Sequence, residues 1–379
     1  MPTECGAKRA MIYLDYAATS FLKPPSVYRA VQQAMLRASS PGRGVHRTAL
    51  AAADLVYECR EAAAALFHVG DPSRVIFTLN ATHALNIAIH TLVRPGSRVL
   101  ISGYEHNAVR RPLIAAGAEL RVFGRRLFDP EAALGEFRAL LSDADAVVCT
   151  HVSNVFGYIL PIEEIAALCR AHRVPLIVDA SQSAGVLELD LQKLGADFIA
   201  MPGHKALFGP QGTGLLLCGG NADPLLYGGT GTDSASPAMP GELPERLEAG
   251  TLNVPGIAGL CAGIRYVLDR TSARIRRQES ELLEMLTGRL RRISGLRLYT
   301  APELKQAGIL SFSSGQADSE SLCAALAERE ICVRGGLHCA PLAHESAGTR
   351  STGTVRISLS PFVTEEQIMQ TASAIGSLF

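Results

Sequence analysis

Between residues 74 and 219 short apolar, β-branched runs alternate with longer segments of helical periodicity, a rhythm that predicts a parallel sheet covered by helices. The expected strands are 75–78, 99–102, 120–123, 146–152, 176–179, 198–201 and 214–218, with helices over 82–93, 130–141 and 162–172. Thr82 and Pro161 suit the starts of two of these helices. A Gly/Pro-rich stretch at 228–244 ends the pattern, and Pro255 opens a long helical segment running to about residue 293. The remainder reads as a smaller α+β unit: strands at 308–312, 331–334 and 354–359, a helix at 319–328 and a last helix from Glu365. Two domains are therefore expected, 16–255 and 1–15 with 256–379, with an active site between them. No solenoid repeat or low-complexity tract interrupts them.

Composition narrows the class. With 379 residues, 47% of them hydrophobic and 19% charged, the chain can bury a large core and is neither disordered nor fibrous. Lys plus Arg equals Asp plus Glu at 36 each, so no broad field recruits nucleic acid or an anionic membrane. The N-terminus lacks a long apolar stretch behind a basic region, and no segment has 18 unbroken apolar residues, so a soluble cytoplasmic protein is expected. Nine cysteines form no CxxC pair, which favours reduced thiols over a disulfide framework or a zinc ribbon. No resident metal is expected.

Three segments could carry chemistry. In Met201-Pro-Gly-His-Lys-Ala-Leu-Phe-Gly a lysine follows a buried strand inside a glycine-rich loop, at the strand ends where α/β sheets bind ligands. A desolvated Lys205 there would lose charge and become nucleophilic; a solvated loop lysine is the plainer alternative. Asp179 ends a run of buried β-branched residues, where a carboxylate needs a cationic partner such as a protonated pyridine nitrogen, or else caps the next helix. In Thr78-Leu-Asn-Ala-Thr82 a strand turns into a helix whose free N–H groups could hold a phosphate, or Thr82 is an ordinary cap.

In this order these segments resemble the class V aminotransferase-fold family of pyridoxal phosphate enzymes, over nearly the whole chain. The resemblance extends to Tyr13-Leu-Asp-Tyr-Ala-Ala-Thr19, Gly42-Arg-Gly-Val-His46, Glu105-His106-Asn107, His151-Val-Ser-Asn154-Val-Phe-Gly157 and Leu247-Glu-Ala-Gly-Thr251-Leu-Asn253. It implies fold type I of the pyridoxal-phosphate-dependent transferases, an α/β fold: a large, mainly parallel sheet with helices on both faces plus a smaller α+β domain. Arg334-Gly-Gly-Leu-His338-Cys339-Ala-Pro is similar to the short catalytic-cysteine loop of group II cysteine desulfurases, the branch that includes selenocysteine lyases. Blind to that motif, Cys339 would be read as a small buried hydrophobe and His338 as a satisfied core histidine.

The resemblance implies roles residue by residue. Lys205 would anchor pyridoxal 5'-phosphate, Asp179 pair with its pyridine nitrogen, Gln182 bond its phenolic oxygen and His106 stack on the ring. Ala81, Thr82 and His204 would hold the phosphate, Asn154 would lie beside cofactor and substrate, and Thr251 would reach the phosphate of a neighbouring subunit in a homodimer. Arg356 would clamp the substrate carboxylate, a task for a planar two-point donor, with Arg334 and His46 lining the same pocket. Lys205 would move the Cα proton, and the Cys339 thiolate would take the sulfur of L-cysteine as a persulfide, leaving L-alanine. His338 or Arg334 could supply the positive charge that favours a thiolate. The persulfide would pass to an acceptor thiol or sulfur-carrier protein serving iron-sulfur or thio-cofactor synthesis.

Departures from the family pattern are Pro202, where a phosphate-binding hydroxyl is usual, Tyr16 for Asn or Ser, and Gly335 for Ala. The alternatives are a selenocysteine lyase, another class V lyase or aminotransferase, and a catalytically silent cofactor-binding scaffold for sulfur-transfer partners.

Overall fold

The computed structural model describes residues 11–379 apart from Arg43 and the side chain of Leu304. After β1 (Ile12–Tyr13) come two helices, α1 (Pro25–Arg37) and the alanine-rich α2 (Arg47–Phe67). The sheet region then alternates as the periodicity predicts: β2 (Val75–Thr78), α3 (Ala81–Leu92), β3 (Arg98–Ser102), α4 (Asn107–Ala115), β4 (Glu119–Phe123), α5 (Pro130–Leu141), β5 (Ala146–Thr150), α6 (Ile162–His172), β6 (Leu176–Asp179), the single turn α7 (Leu191–Leu194), β7 (Phe198–Pro202) and β8 (Gly214–Cys218). Seven strands form one sheet in the order β2-β8-β7-β6-β5-β3-β4. Pairing is parallel from β7 through β4, while β8 runs antiparallel to both β7 and β2. Both faces are covered, so β5, β6, β7 and β8 are buried at every residue, the mark of a sheet between two helical layers. One layer packs α2, α5 and α6 on the sheet, and the other packs α3 and α4.

The expected single helix from residue 255 to 293 is two, α8 (Val254–Arg270) and α9 (Ser272–Leu290). Thr271 breaks them with a left-handed φ of 64° and caps α9 by accepting from the N–H of Arg274. Helix α8 lies against α1 and α2 and contributes Ile257, Leu260 and Ile264 to the core of the large sheet. We therefore place the division between the two units at Thr271 rather than at residue 255.

Beyond it come β9 (Leu296–Tyr299), β10 (Ile309–Ser314), α10 (Ser319–Ala327), β11 (Ile331–Cys332), α11 (Pro341–Ala347), β12 (Val355–Ser358) and α12 (Glu365–Gly376). An antiparallel sheet β12-β10-β9 carries α9, α10 and α12 around its own apolar core. The chain's first strand returns to this unit, because β1 pairs with β11 in parallel. Residues 14–20 thus run from the small unit into the seam between the units, beside the ends of β6 and β7.

Candidate active site

Asp179 is the last residue of β6, 2% exposed, and its Oδ1 accepts from the N–H of Ser181 at 2.9 Å. β7 lies alongside in parallel register, Asp179 opposite Ala200, so the loop after Pro202 carries Lys205 over the same sheet edge. Lys205 is half-buried, and among the described residues no hydrogen bond or ion pair holds its Nζ. Burial pulls its pKa down to about 8, with Asp179 holding it up in part. His106 caps α4: its Nδ1 accepts from the N–H of Ala108 at 2.9 Å, so the neutral ring carries its proton on Nε2. Burial lowers the pKa of His106 and keeps it in that neutral form, although Asp179 acts in the opposite direction.

The turn before His106 is held by a fully buried acid. Glu105 Oε1 accepts from the Ser102 hydroxyl at 2.5 Å and the N–H of Thr150 at 2.8 Å, while Oε2 has no partner among the described residues. Burial raises Glu105 to about 8, which makes it a neutral carboxylic acid at neutral pH, joining the ends of β3 and β5.

The structure moves the start of α3 one residue forward. Asn80, not Thr82, is the N-cap, accepting from the N–H of His83 at 2.9 Å. Ala81 and Thr82 occupy the first turn, where N–H groups have no partner inside the helix and the dipole favours an anion. The Nδ1 of His204 lies 3.0 Å from the Thr19 hydroxyl, and the Ser20 hydroxyl donates to the His204 carbonyl at 2.9 Å, so residues 19 and 20 set this ring. Burial lowers His204 to about 4, which keeps it neutral. Gln182 donates from Nε2 to the Ala17 carbonyl at 3.0 Å. Pro202 is the last residue of β7, paired with Gly214 in the antiparallel ladder.

Cys339 and its neighbour occupy left-handed backbone, with φ of 49° at His338 and 56° at Cys339. Such a conformation costs a non-glycine residue about 1–2 kcal/mol, so the surroundings must impose it. They do so at two points: the N–H of Asn107 donates to the Cys339 carbonyl at 2.8 Å, and Asn154 Nδ2 donates to the His338 carbonyl at 2.9 Å. Cys339 is the one exposed cysteine among the eight described; Cys5 lies outside the described residues. Gly335 also has a steric reason, since a Cβ there would lie 2.7 Å from the Ser319 carbonyl oxygen.

His338 does not supply positive charge. It is 7% exposed, its Nε2 lies 3.0 Å from the Thr354 carbonyl, and burial, reinforced by Arg356, pushes its pKa down to about 2. A carbonyl only accepts, so Nε2 carries the proton and the ring is neutral. Arg356, 2% exposed on β12, donates to the Asn154 carbonyl at 2.9 Å and to Asp15 Oδ1 at 2.7 Å. Arg334 reaches the other oxygen of Asp15 at 3.1 Å.

The fold thus gathers Asp179, Lys205, His106, Gln182, His204, Asn154, Arg334, Arg356 and Cys339 around the seam between the units. Two expected members stand apart. His46 is exposed and caps α2, accepting from the N–H of Ala49, and no contact among the described residues brings it to Arg334 or Arg356. Thr251 is exposed on the loop before α8, in a pocket shared with His83 and Leu226. Glu105, Thr19 and Asp15 went unassigned from sequence, although all three sit inside the quoted motifs. The signal that could have found Asp15 was an acid inside an otherwise apolar stretch.

The site thus lies at the ends of parallel strands and joins a buried aspartate, a desolvated lysine and a helix N-terminus. The aminotransferase class-V family model matches residues 12–370, and the chain belongs to that family. It is 34% identical over 378 residues to a probable cysteine desulfurase of Methanothermobacter thermautotrophicus, covering 95% of this chain and 92% of that protein. A probable cysteine desulfurase of Pyrococcus abyssi is 32% identical over 373 residues, covering 94% and 92%. The apo cysteine desulfurase of Thermococcus onnurineus superposes with a TM-score of 0.89 at 30% identity, covering 97% of this chain and 94% of that one.

Proposed function

We propose that this protein is a pyridoxal-phosphate-dependent L-cysteine desulfurase that yields L-alanine and holds the sulfur on Cys339. The observation that carries the reading is an exposed cysteine whose loop is fastened by Asn107, the neighbour of His106, and by Asn154, whose carbonyl accepts from Arg356. A lyase or aminotransferase of the same family has no need of that thiol.

The residues present fit pyridoxal phosphate. Asp179 is buried with a single backbone donor and suits a pyridinium partner; the first turn of α3 with Ala81, Thr82 and the neutral ring of His204 suits a phosphate, without a hydroxyl at Pro202. Bound there, the cofactor would supply an electron sink for charge developing at the substrate Cα. Lys205, uncharged through burial more readily than an ordinary lysine, would anchor the cofactor and carry the Cα proton. His106 presents Nε2–H and would stack on the ring, and Gln182 would bond the phenolic oxygen. Arg356 fixes the substrate carboxylate beside Asn154, and Cys339 takes the sulfur as a persulfide that a second thiol, on a small molecule or a sulfur-carrier protein, accepts for iron-sulfur or thio-cofactor synthesis. Thr251, exposed on its loop, would reach the phosphate site of a second copy, and the active form would then be a homodimer; His46 would join the pocket by a shift of the loop before α2. No described helix is long and apolar enough to cross a membrane, and eight free thiols among the described residues suit the reducing cytoplasm.

Wild type and Cys339→Ala, both loaded with pyridoxal phosphate, should be compared with L-cysteine and a reducing thiol. Equimolar alanine and sulfide from wild type alone is expected. Product from both proteins would make the chain a lyase; turnover of selenocysteine with none of cysteine would make it a selenocysteine lyase; cofactor absorbance without product would make it a silent scaffold.

A further inference from the structure

We propose that Asp15 is a positioning residue that sets the charge of the substrate pocket and selects amino acids carrying one carboxylate. The inference rests on Arg356 being the carboxylate clamp.

The placement of Asp15 follows from strand register. Arg334 and Arg356 are direct bridge partners, with Arg356 N–H donating to the Arg334 carbonyl at 2.7 Å and the return bond at 3.3 Å, so their side chains emerge side by side. Ser358, two residues beyond Arg356 on the same face of β12, is bridged in parallel to Asp15. Its N–H donates to the Leu14 carbonyl at 2.8 Å and its hydroxyl accepts from the N–H of Ala17 at 2.8 Å, which clamps the chain on both sides of Asp15. The Tyr13 hydroxyl donates to the Asp15 carbonyl at 3.1 Å. The carboxylate divides between the guanidinium groups, Oδ1 to Arg356 Nη2 at 2.7 Å and Oδ2 to Arg334 Nε at 3.1 Å.

Charge decides what this does. Two guanidinium groups held side by side would repel each other, and Arg356, with its side chain 3% exposed, could not relieve this by swinging into water. With Asp15 between them the group of three carries one net positive charge, matched to one carboxylate. Arg356 spends one Nη1–H on Asn154 and one Nη2–H on Asp15, and the second proton of each nitrogen is left for substrate. Without Asp15 the pocket would carry two positive charges and would favour amino acids with a second anionic group.

The test uses full-length protein loaded with pyridoxal phosphate, as wild type, Asp15→Asn, Asp15→Glu and Arg334→Gln. Binding of L-serine, the size of cysteine, and of L-aspartate, which adds one carboxylate, is read from ligand-induced shifts in the unfolding midpoint, alongside kcat and KM for L-cysteine. Asp15→Asn should raise KM for cysteine with kcat nearly unchanged, and should shift preference toward aspartate over serine by roughly tenfold or more. Asp15→Glu should restore the wild-type preference. Arg334→Gln, which leaves the pocket neutral, should weaken both ligands and aspartate more, and it tests the same claim should Asp15→Asn not fold. An unchanged aspartate-to-serine ratio in Asp15→Asn, or in Arg334→Gln in its place, overturns the proposal. Wild type that binds serine but makes no alanine from cysteine would sink the desulfurase reading and leave the charge argument standing.

Discussion

The backbone N–H of Asn107 donates to the carbonyl oxygen of Cys339 at 2.8 Å, across more than two hundred residues of sequence. Asn107 is the first residue of α4 and follows His106, so the helix that orients the imidazole also holds the cysteine. The loop is fastened through its carbonyls to α4 and to Asn154 beyond β5, and Cys339 in it is exposed.

Asn154 is the second fastening. Asn154→Ala would leave the His338 carbonyl without its donor in a buried setting, at a cost of about 1–3 kcal/mol. The expected result is a lower unfolding midpoint and a slower release of sulfide, both read on the purified variant. Asn154→Asp should be worse than Ala, because it sets an acceptor against an acceptor.

Lys205 should show its environment in its titration. Burial lowers it to about 8, so capture of pyridoxal phosphate by cofactor-free protein, followed by absorbance, should rise with pH through about 8 instead of near 10.5. Asp179 favours the charged lysine, so Asp179→Asn should move the midpoint further down. Lys205→Arg should give no covalent capture at any pH.

Stability without cofactor should pass through a maximum near pH 6.5. Burial lowers His151, His204 and His344 to about 4 and His338 to about 2, so the unfolded chain takes up protons first as pH falls below 6.5. Their contribution is present above 6.5 and is lost toward acid, at up to about 1.4 kcal/mol per pH unit for each ring. Glu105 and Glu279 act in the opposite sense: burial raises both from 4.5 to about 8, so their contribution is present below 4.5 and is lost as pH rises through 8. Urea midpoints measured from pH 5 to 8 should trace this curve, and Glu279→Gln should flatten its alkaline side.

Glu248 ties the loop bearing Thr251 to the sheet. It pairs with Arg60 inside the protein, both side chains under 10% exposed, and Oε1 accepts from the N–H of Phe77 at 2.7 Å. Removing one partner strands a buried charge, so Glu248→Ala should cost about 3–5 kcal/mol by chemical denaturation. Restored stability in the double replacement Arg60→Met with Glu248→Leu would confirm that the stranded arginine was the cause.

The elements legible in the sequence were those whose signals are local. The helices at residues 130–141 and 162–172 and the strands at 75–78, 176–179 and 214–218 have the predicted bounds, because apolar runs and caps lie within a few residues of one another. Helix α4 went unread since Pro112 lies inside it, and α2 since alanines on most of its faces blur the stripe. Thr271 hid the break before α9, because nothing in its side chain announces a left-handed backbone.

The sequence by itself determined the order of motifs, and with it the family, the sheet and the identity of Asp179, Lys205, Arg356 and Cys339 as residues to watch. Only the tertiary structure decided that His338 is neutral, that His46 is spent as a cap, and that one carboxylate serves two arginines. Each of those depends on burial or on contacts between segments far apart in the chain. Desolvation belongs to the packed interior, and the register that sets Asp15 between Arg334 and Arg356 exists only when three distant strands have met.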